Sequence, residues 1–420
     1  MSAFDQVIGY ESIKNELMQV CDMIRNPEVY KQIGAVLPRG MLLYGDPGLG
    51  KTLMAKALIR ESGLQAFSVR KNKGKKDLLS EIAKAFRKAE EQAPAIVFLD
   101  DMDKFANEDS NHRDADEYVA IQTAIDDVKD KNVFVLATVN DYNKLPRSLR
   151  RCGRFDRQIE FTSPNPADAA KIMEYYLQGK KVDPSVNLDD LSRMLDYGSC
   201  AVLETVLNEA AIYAAYERRE TICMPELIRA VMREAYDSPE TFRKMSEEEI
   251  RQTAIHEAGH AVICEVLIPG GVGMVSVRAE RNSCGGIMHR CADKLTDEQQ
   301  ALICLGGKAA VEMMNPGTIA EGCAWDLTRA ARSIRQQMEN SAALGFALID
   351  VQSDNYNEMS QFLNHRGEIV VQTELERYMR RVWEILQQHR LFLEKITEEL
   401  VQKETLLHSD IQRIKVSCEG

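Results

Sequence analysis

Continuous apolar runs alternate with amphipathic stretches in the first part of the chain, up to about residue 163. The runs predict buried strands at 41–44, 66–69, 95–99 and 133–138. Runs of β-branched and aromatic residues separated by helices are typical of a parallel sheet that is covered by helices on both faces. We therefore predict an α/β domain over residues 1–163.

Beyond Pro164 the strand-like runs stop, and only helical periodicity continues to about Tyr236. This predicts a small all-α domain at 164–237. The polar stretch around Pro239 interrupts the helical pattern on both sides and predicts a linker at 238–245.

The third predicted domain covers 246–420 and is mostly helical. Its exception is the glycine- and valine-rich stretch 271–288, which favours a short hairpin or small sheet. Long charged helices are expected from Gln372 to about Leu407.

Composition describes a folded and mildly acidic protein of 420 residues, with 45% hydrophobic residues and a net charge of −12. It excludes fibrous and disordered classes, and it gives no general attraction to nucleic acid, so none is expected as a partner. No apolar run approaches the ~18 residues of a membrane helix, and the first residues lack the pattern of a signal peptide. The ten cysteines are scattered without a C-x-x-C pair, which favours reduced thiols. We expect a soluble, cytoplasmic protein with no membrane segment in this chain.

A glycine-rich segment between the first predicted strand and a helix fits the phosphate-binding pattern G-x-x-x-x-G-K-[ST]. Its glycines let backbone N–H groups surround the β-phosphate, its lysine neutralises the β- and γ-oxygens, and its threonine hydroxyl can ligate Mg²⁺. The predicted nucleotide-binding residues are Gly45, Asp46, Pro47, Gly48, Leu49, Gly50, Lys51, Thr52 and Leu53.

Acidic residues follow the third predicted strand, where a nucleotide triphosphatase needs support for its metal ion. Asp100 is predicted to hold Mg²⁺ through water, and Asp101 to orient the attacking water with help from Asn140. Either acid alone could simply cap a strand end. Their order and spacing after the phosphate loop favour the catalytic interpretation.

Arginines are dense in the segment 150–157, just beyond the fourth predicted strand. The segment could be a solvated basic turn. Alternatively, Arg154 and Arg157 could act as arginine fingers that reach the γ-phosphate of a neighbouring subunit, which would imply a ring.

Two histidines four residues apart lie inside a helical pattern with a glutamate directly after the first. This spacing places His256 and His260 on one helix face, within reach of one Zn²⁺, and it places Glu257 to take a proton from zinc-activated water. A catalytic zinc usually takes a third protein ligand. Spacing alone leaves Glu312 and Asp326 as equal candidates.

The order of these motifs resembles the FtsH family of ATP-dependent zinc metalloproteases from about Phe4 to Ile411. The resemblance also rests on an opening Val7-Ile8-Gly9 and a C-terminal Lys403-Glu-Thr-Leu406. It implies an α/β P-loop AAA+ ATPase module with an all-α lid, followed by a mostly helical zinc metalloprotease domain. It further implies ATP, Mg²⁺ and Zn²⁺ as cofactors and a homo-hexameric ring that threads polypeptide substrates.

The resemblance assigns further residues. It favours Asp326 over Glu312 as the third zinc ligand. It places Ile8 and Gly9 beside the adenine, together with Gly198 and Ala201 of the lid. The strand around 285–288 is similar to the edge that holds the substrate in extended form.

Three features depart from the family pattern. The family normally has an N-terminal membrane anchor before the ATPase module, whereas here that module begins within a few residues of Met1, so either the chain is a soluble relative or an anchor was removed. Asp101 stands where glutamate is usual and is one methylene shorter. The basic segment 70–76 replaces an aromatic pore loop; it is either a solvated face or a positively charged ring mouth that prefers acidic substrates or binds an anionic ligand.

We therefore expect an ATP-dependent zinc metalloendopeptidase that forms a ring and uses hydrolysis to engage and thread protein substrates. Asp101 and the altered pore segment motivate an alternative, a nucleotide-gated zinc peptidase with a weak or uncoupled motor. A non-proteolytic AAA+ remodeller is a further alternative, disfavoured by the intact set of metal ligands.

Overall fold

The computed structural model describes residues 2–71, 75–107, 115–129, 131–151, 153–196, 198–238, 245–278, 286–291, 295–317, 323–341 and 361–419. These residues form two compact units. One comprises Met1–Gly179 with Tyr197–Leu207, and the other comprises Lys180–Asp196 with Asn208–Gly420.

The first unit is built on a five-stranded parallel sheet in the order β2-β3-β4-β1-β5. Its strands are β1 Gly40–Gly45, β2 Gln65–Val69, β3 Ala95–Leu99, β4 Val133–Val139 and β5 Arg157–Phe161. The first four confirm the predicted strands and the α/β class. Strand β5 was not predicted, because its polar Arg157, Gln158 and Glu160 interrupt the apolar run.

Helices cover both faces of this sheet, as the continuous apolar runs predict. Along β1, Leu42 belongs to the core on one face, whereas Met41 and Leu43 belong to the core on the other. The helices are α1 Glu11–Arg25, α2 Pro27–Gln32, α3 Lys51–Ser62, α4 Lys75–Glu91, α5 Ala115–Asp127, α6 Arg147–Arg150 and α7 Pro166–Leu177, and the 3-10 turns are Ala3–Gln6, Met102–Lys104 and Tyr142–Lys144.

The predicted all-α region contains α7 and three further helices, α8 Leu188–Met194, α9 Cys200–Tyr216 and α10 Met224–Glu234. Both compact units take residues from this region. Most of the predicted linker lies outside the described residues, so the boundaries at 163, 237 and 245 stay predictions.

The rest of the second unit is mostly helical, as predicted. Its helices are α11 Glu247–Leu267, α12 Asp297–Met314, α13 Ala324–Ser341, α14 Gln361–Gln388, α15 Arg390–Lys403 and α16 His408–Glu419. Their apolar faces form one core with α11 at its centre, where residues 261–264 are fully buried.

A small antiparallel sheet in the order β7-β6-β8 completes this unit. Strands β6 Val272–Ser276 and β7 Ile287–Arg290 confirm the predicted small sheet, whereas β8 Thr405–Leu407 corrects the expectation of helix to about Leu407. Helix α15 ends because Glu404 adopts a left-handed backbone with φ 61°, and the following residues pair with β6.

Within the described part of the chain, no helix combines the length and the apolar character needed to cross a membrane. The eight cysteines in that part are all free thiols.

Candidate active sites

The phosphate loop connects the end of β1 to the start of α3. Gly48 and Gly50 have φ values of 80° and 85°, a left-handed backbone that glycine adopts without steric cost. The buried Lys51 donates hydrogen bonds through Nζ to the carbonyl oxygens of Gly45 at 2.7 Å and Asp46 at 2.6 Å. Burial lowers the pKa of Lys51. The amine is therefore held inside the loop, where the β- and γ-phosphates would bind.

Asp100 lies at the end of β3 beside the first turn of α3. Its Oδ1 accepts hydrogen bonds from Thr52 Oγ1 at 2.9 Å and from Thr138 Oγ1 at 2.8 Å. The threonine hydroxyl and the carboxylate thus meet where a Mg²⁺ ion would need oxygen ligands, and this donor set fits the ion. Thr138 was not predicted from the sequence; its signal is a hydroxyl near the end of an otherwise apolar strand.

Asp101 has a left-handed backbone with φ 53°, and its N–H donates to Thr138 Oγ1 at 2.9 Å. Its carboxylate accepts from Asn140 Nδ2 at 3.1 Å, so the two predicted water-orienting groups are in contact. It also accepts from Lys104 Nζ at 2.7 Å and from Arg70 Nη2 at 3.4 Å. Burial alone would raise the pKa of Asp101, but the bond from Lys104 and its positive charge hold that pKa below its usual value.

The predicted lid residues lie against the phosphate loop. The N–H of Ala201 donates to the Gly48 carbonyl at 3.1 Å, and a Cβ on Gly48 would lie only 2.8 Å from that of Ala201. Gly198 precedes this contact by three residues. Leu53 lies on α3, and its side chain is half exposed.

The segment of Ile8 and Gly9 lies beside α7 and the start of α9. Gly9 has φ 72° and packs against Asp168, while Tyr10 donates its N–H to Asp168 Oδ2 at 3.4 Å. The Tyr10 hydroxyl lies 3.7 Å from Cys200 Sγ. The two segments predicted to flank the adenine are thus brought close together by the contact of Tyr10 with Cys200.

A cleft of about 730 Å³ opens at the carboxyl ends of β1 and β4. Ligands of open parallel sheets bind at this end of the strands. The cleft is lined by residues 44–47, Asp103, residues 140–144 and Glu160. It therefore adjoins both the phosphate loop and Asn140.

The two predicted finger arginines are held by ion pairs within the chain. Arg154 is buried and donates two hydrogen bonds to the Asp126 carboxylate, at 2.8 and 3.3 Å. It donates a third to the Ser148 carbonyl at 2.6 Å. Arg157 is half-buried and pairs with Glu16 at 3.2 Å. Of the two, Arg157 has the more accessible guanidinium.

The two histidines of α11 meet Asp326 of α13. The Nε2 atoms of His256 and His260 lie 3.0 Å apart, and Oδ2 of Asp326 lies 3.2 Å from the first and 3.5 Å from the second. One ligand atom from each of the three residues lies within 4.8 Å of the other two. This His₂-carboxylate set fits a catalytic zinc.

Electrostatics in this cluster favour a charged carboxylate. Burial opposes the ionisation of Asp326, but hydrogen bonds from His256 and His260 hold its pKa well below the usual range. The pKa of His260 is raised although its burial acts against the charge, because Asp326 and Glu257 are close. Both shifts indicate that Asp326 carries a negative charge in this cluster, and a bound cation would neutralise that charge.

The other candidate ligand, Glu312, is engaged elsewhere. Its carboxylate pairs with Lys308 one turn earlier on α12. Sequence spacing could not separate Glu312 from Asp326, and the structure brings only Asp326 into contact with the histidines.

Helix packing positions the imidazoles. A Cβ on Gly259 of α11 would lie 2.4 Å from the Gly306 carbonyl of α12, so the two helices can approach this closely only with glycine there. His260 Nδ1 contacts the Ile303 carbonyl at 2.6 Å, and His256 Nδ1 lies 3.8 Å from Cys323 Sγ. Such partners fix the orientation of ligating imidazoles. The partners themselves, Gly259, Gly306, Ile303 and Cys323, were not predicted from the sequence.

Glu257 is buried directly beside this cluster. Burial raises its pKa, an effect that the neighbouring histidines partly offset. The N–H of Gly286 donates to its carboxylate, and a Cβ on Gly286 would lie 2.7 Å from Glu257 Cγ. The residue directly before strand β7 thus contacts the predicted general base.

Two family models match the chain, one in each half. Residues 41–163 match the ATPase family associated with various cellular activities (AAA), and residues 243–414 match peptidase family M41. The ATP-dependent zinc metalloprotease FtsH 2 of Symbiobacterium thermophilum is 32% identical over 98% of this chain and 74% of its own length. FtsH 3 of the same organism is 30% identical over 97% of the chain and 70% of its length.

The chain belongs to the FtsH family of ATP-dependent zinc metalloproteases. FtsH 2 of Sphaerobacter thermophilus is likewise 32% identical, over 98% of the chain and 66% of its own length. The chain therefore spans about two thirds to three quarters of these FtsH relatives. Zinc, ATP and Mg²⁺, the cofactors expected from the sequence, are those of the FtsH family.

One departure from the FtsH pattern, the basic segment 70–76, is only partly described by the structure. Arg70 and Lys71 of the basic segment belong to the described residues, and the side chains of 72–76 lie outside them. Its start already touches the ATPase site, since Arg70 contacts both Asp101 and, at 3.8 Å, Asp100.

Proposed function

We propose that this chain is a ring-forming peptidase that unfolds protein substrates with ATP and cleaves them at the His256, His260 and Asp326 cluster. The observation that carries the proposal is the buried Glu257 beside this ligand set, in the same chain as a phosphate loop whose Thr52 and Asp100 are already in contact. Polypeptides are the proposed substrates, and the cytoplasm is the proposed location.

In the peptidase site, His256, His260 and Asp326 would hold zinc. When bound, zinc acidifies a water molecule and polarises the scissile carbonyl. Glu257 is placed to accept a proton at its carboxylate and to return it to the leaving nitrogen. Burial, which raises the pKa of Glu257, favours the protonated state that this return requires.

In the ATPase site, Lys51 would neutralise the β- and γ-phosphates, while Thr52 and Asp100 would hold Mg²⁺. Asp101 and Asn140, in contact at 3.1 Å, would orient the attacking water. Gly48 and Ala201 would close on the nucleotide, with Ile8 and Gly9 beside the adenine.

A substrate chain would bind in extended form along β7. Strand β7 is at one edge of its sheet, and Gly286 just before it touches Glu257. Main-chain pairing with an edge strand accepts many sequences and would present the peptide bond beside the general base.

Hexamer formation would complete each ATPase site. Arg157, and Arg154 once released from Asp126, would contact the γ-phosphate of a neighbouring subunit and stabilise the charge of the transition state. The family's ring architecture supports this role, and the central opening would then pass the substrate to the peptidase sites.

A nucleotide-gated peptidase with a weak motor is a second candidate. The observation that favours it is the ion pairing of Asp101 with Lys104 and Arg70. A carboxylate held by two cations is a poorer partner for water. In that case ATP binding would assemble or open the ring without strong pulling.

Cleavage of two substrates by the purified protein separates these functions. One substrate is an unfolded chain, and the other is a stably folded protein with an unstructured tail, each with and without ATP. Glu257→Gln and Lys51→Ala inactivate the peptidase and the ATPase separately, and a zinc chelator is the control for the metal. Destruction of the folded substrate that needs ATP, Lys51 and Glu257 supports the coupled machine. Cleavage confined to the unfolded chain supports the gated peptidase, and no cleavage of either substrate by the metal-loaded protein contradicts both.

A further inference from the structure

A second group of metal-type ligands lies in the Lys180–Asp196, Asn208–Gly420 unit and shares no member with the peptidase cluster. Asp196, His289 and Cys291 each offer one ligand atom, and these atoms all lie within 4.8 Å of one another. We propose that these three side chains bind a structural Zn²⁺ ion that ties the end of α8 to strand β7. The proposal does not depend on the proposed protease mechanism.

Strand geometry brings two of the ligands together. His289 lies in β7 and Cys291 follows two residues later, and positions i and i+2 of a strand point to the same face. The N–H of Cys291 donates to the Gly271 carbonyl at 2.9 Å, so pairing with the β6 side continues through this residue. Both ligands therefore stand on one extended segment.

Helix α8 brings the third ligand, since Asp196 follows its end by two residues. The close approach depends on Gly273 of β6. A Cβ there would lie 2.5 Å from Cys291 Sγ and 2.7 Å from the Arg193 carbonyl. Without that Cβ, the Cys291 thiol donates a hydrogen bond to the same carbonyl at 2.9 Å. The thiol would release this proton on binding the metal as thiolate. The sequence thus leaves room for the thiol between the sheet and the end of α8.

A neighbouring ring orients the imidazole of His289, but one ring nitrogen has no hydrogen-bond partner among the described residues. Tyr236 packs edge-on against it, with ring centroids 5.6 Å apart and planes at 78°, and Tyr236 itself is anchored by its hydroxyl on the Met194 carbonyl at 2.7 Å. The Nε2 atom of His289 is buried and has no hydrogen-bond partner among the described residues. A buried polar atom without a partner is costly, and a metal ion would satisfy it.

The donor set selects the class of ion. One thiol, one imidazole and one carboxylate are the ligands of zinc, whereas Mg²⁺ and Ca²⁺ prefer oxygen alone. All three side chains are partly exposed, which leaves a place for water as a fourth ligand. An ordinary packing cluster would instead leave Nε2 unsatisfied and would bind no metal.

Cobalt substitution in the full chain distinguishes this site from the peptidase site. A thiolate ligand gives Co²⁺ a charge-transfer absorption in the near ultraviolet, and the His₂-carboxylate cluster contains no thiol. We expect apo protein to take up about two Co²⁺ per chain and to show this band. The band should persist in a His256→Gln, His260→Gln variant and should vanish in Cys291→Ser and His289→Gln.

Two further variants keep the test decisive. Cys323→Ser removes a thiol that lies 3.8 Å from His256 and should leave the band intact; a band that follows Cys323 instead of Cys291 would overturn the proposal. Asp196→Asn preserves volume should the cysteine variant fail to fold, and it should weaken Co²⁺ binding at the thiolate site by about tenfold or more. Uptake of about one ion per chain without a thiolate band would also overturn it.

Discussion

A Cβ atom on Gly307 would lie 2.5 Å from Cε1 of His256. It would also lie 2.6 Å from Nε2 of His260, the atom expected to bind zinc. Helix α12 can therefore pass beside both imidazoles only because this position has no side chain. The catalytic cluster depends on a residue that has no functional group.

We expect Gly307→Ala to displace the imidazoles and lower zinc affinity and peptidase activity by about 10- to 100-fold, the range found when the support of a ligand is disturbed. ATP hydrolysis should be unchanged. The matched control is Gly367→Ala in α14, where a Cβ would make only an ordinary contact of 3.5 Å with Met338. Zinc titration of both variants measures the effect, and equal affinities would contradict this account of Gly307.

Glu257→Gln should lower peptide cleavage by about 10²- to 10⁴-fold, because an amide can neither accept nor return the proton. Zinc content should stay at the level of the parent, since Glu257 is not among the three clustered ligand residues. Metal analysis together with an unfolded substrate checks both points. A variant that loses its zinc would indicate that Glu257 acts on metal binding instead.

Sequence patterns were sufficient for elements with a strong periodic signal. Strands β1 to β4 are largely apolar runs, and the pair His256 and His260 is fixed by helical spacing alone. Strand β5 was missed because polar residues alternate with Ile159 and Phe161, and β8 was missed because a three-residue strand after Lys403 depends on pairing with a distant β6.

Residues that act through contacts distant in sequence could not be predicted from sequence patterns either. Glu312 and Asp326 are equivalent as acids on helices, and only their contacts in the fold, Asp326 with His256 and Glu312 with Lys308, separate them. Thr138 and Lys104 carry no motif, yet both contact the acids that follow β3. Gly307 is one of 24 glycines, and its role depends on how closely two helices pack.

Asp101→Glu should raise ATP turnover. The longer side chain would reach toward the γ-phosphate from a backbone that Thr138 fixes, and a displacement of about 1 Å can change a rate by up to about 100-fold. We expect a gain of between about 3- and 100-fold in steady-state ATPase assays. Asp127→Glu, on the exposed face of α5, is the control for adding a methylene. No gain in the Asp101 variant would mean that the shorter acid is already well placed.

An ion network near β8 should make stability depend on pH. Arg413 lowers the pKa of Glu399 through two hydrogen bonds, of 2.9 and 2.6 Å, and Lys403 lowers that of Asp410 against the effect of burial. A carboxylate whose pKa is lower when folded stabilises the protein above its unfolded pKa and loses this contribution as pH falls through the folded value.

Glu399→Gln should therefore lower the free energy of unfolding by up to about 1 kcal/mol at pH 7, given partial exposure of the pair. The difference from the parent should shrink as the pH falls below the ordinary glutamate value of 4.5 and the carboxylate protonates. Urea midpoints at neutral and acid pH measure this, with Glu398→Gln on the exposed side of α15 as control. A difference that stays constant with pH would exclude the ion pair as its cause.

The two predicted arginine fingers should contribute differently to the free energy of unfolding. Arg154→Ala removes a buried guanidinium from Asp126 and from the Ser148 carbonyl, so we expect a loss of about 2–3 kcal/mol and a lower melting temperature. Arg157→Ala removes a partly exposed pair with Glu16, for which about 0–1 kcal/mol is expected.

If both arginines act on a neighbouring γ-phosphate, ATP turnover should fall by about 10³-fold or more in each variant, independently of its stability. Asp126→Asn provides the control, because it weakens the Arg154 pair while keeping the guanidinium. An ATPase loss in Arg154→Ala that Asp126→Asn reproduces would reduce Arg154 to a structural role. Normal turnover in a stable Arg157→Ala variant would remove the more accessible arginine from the catalytic site.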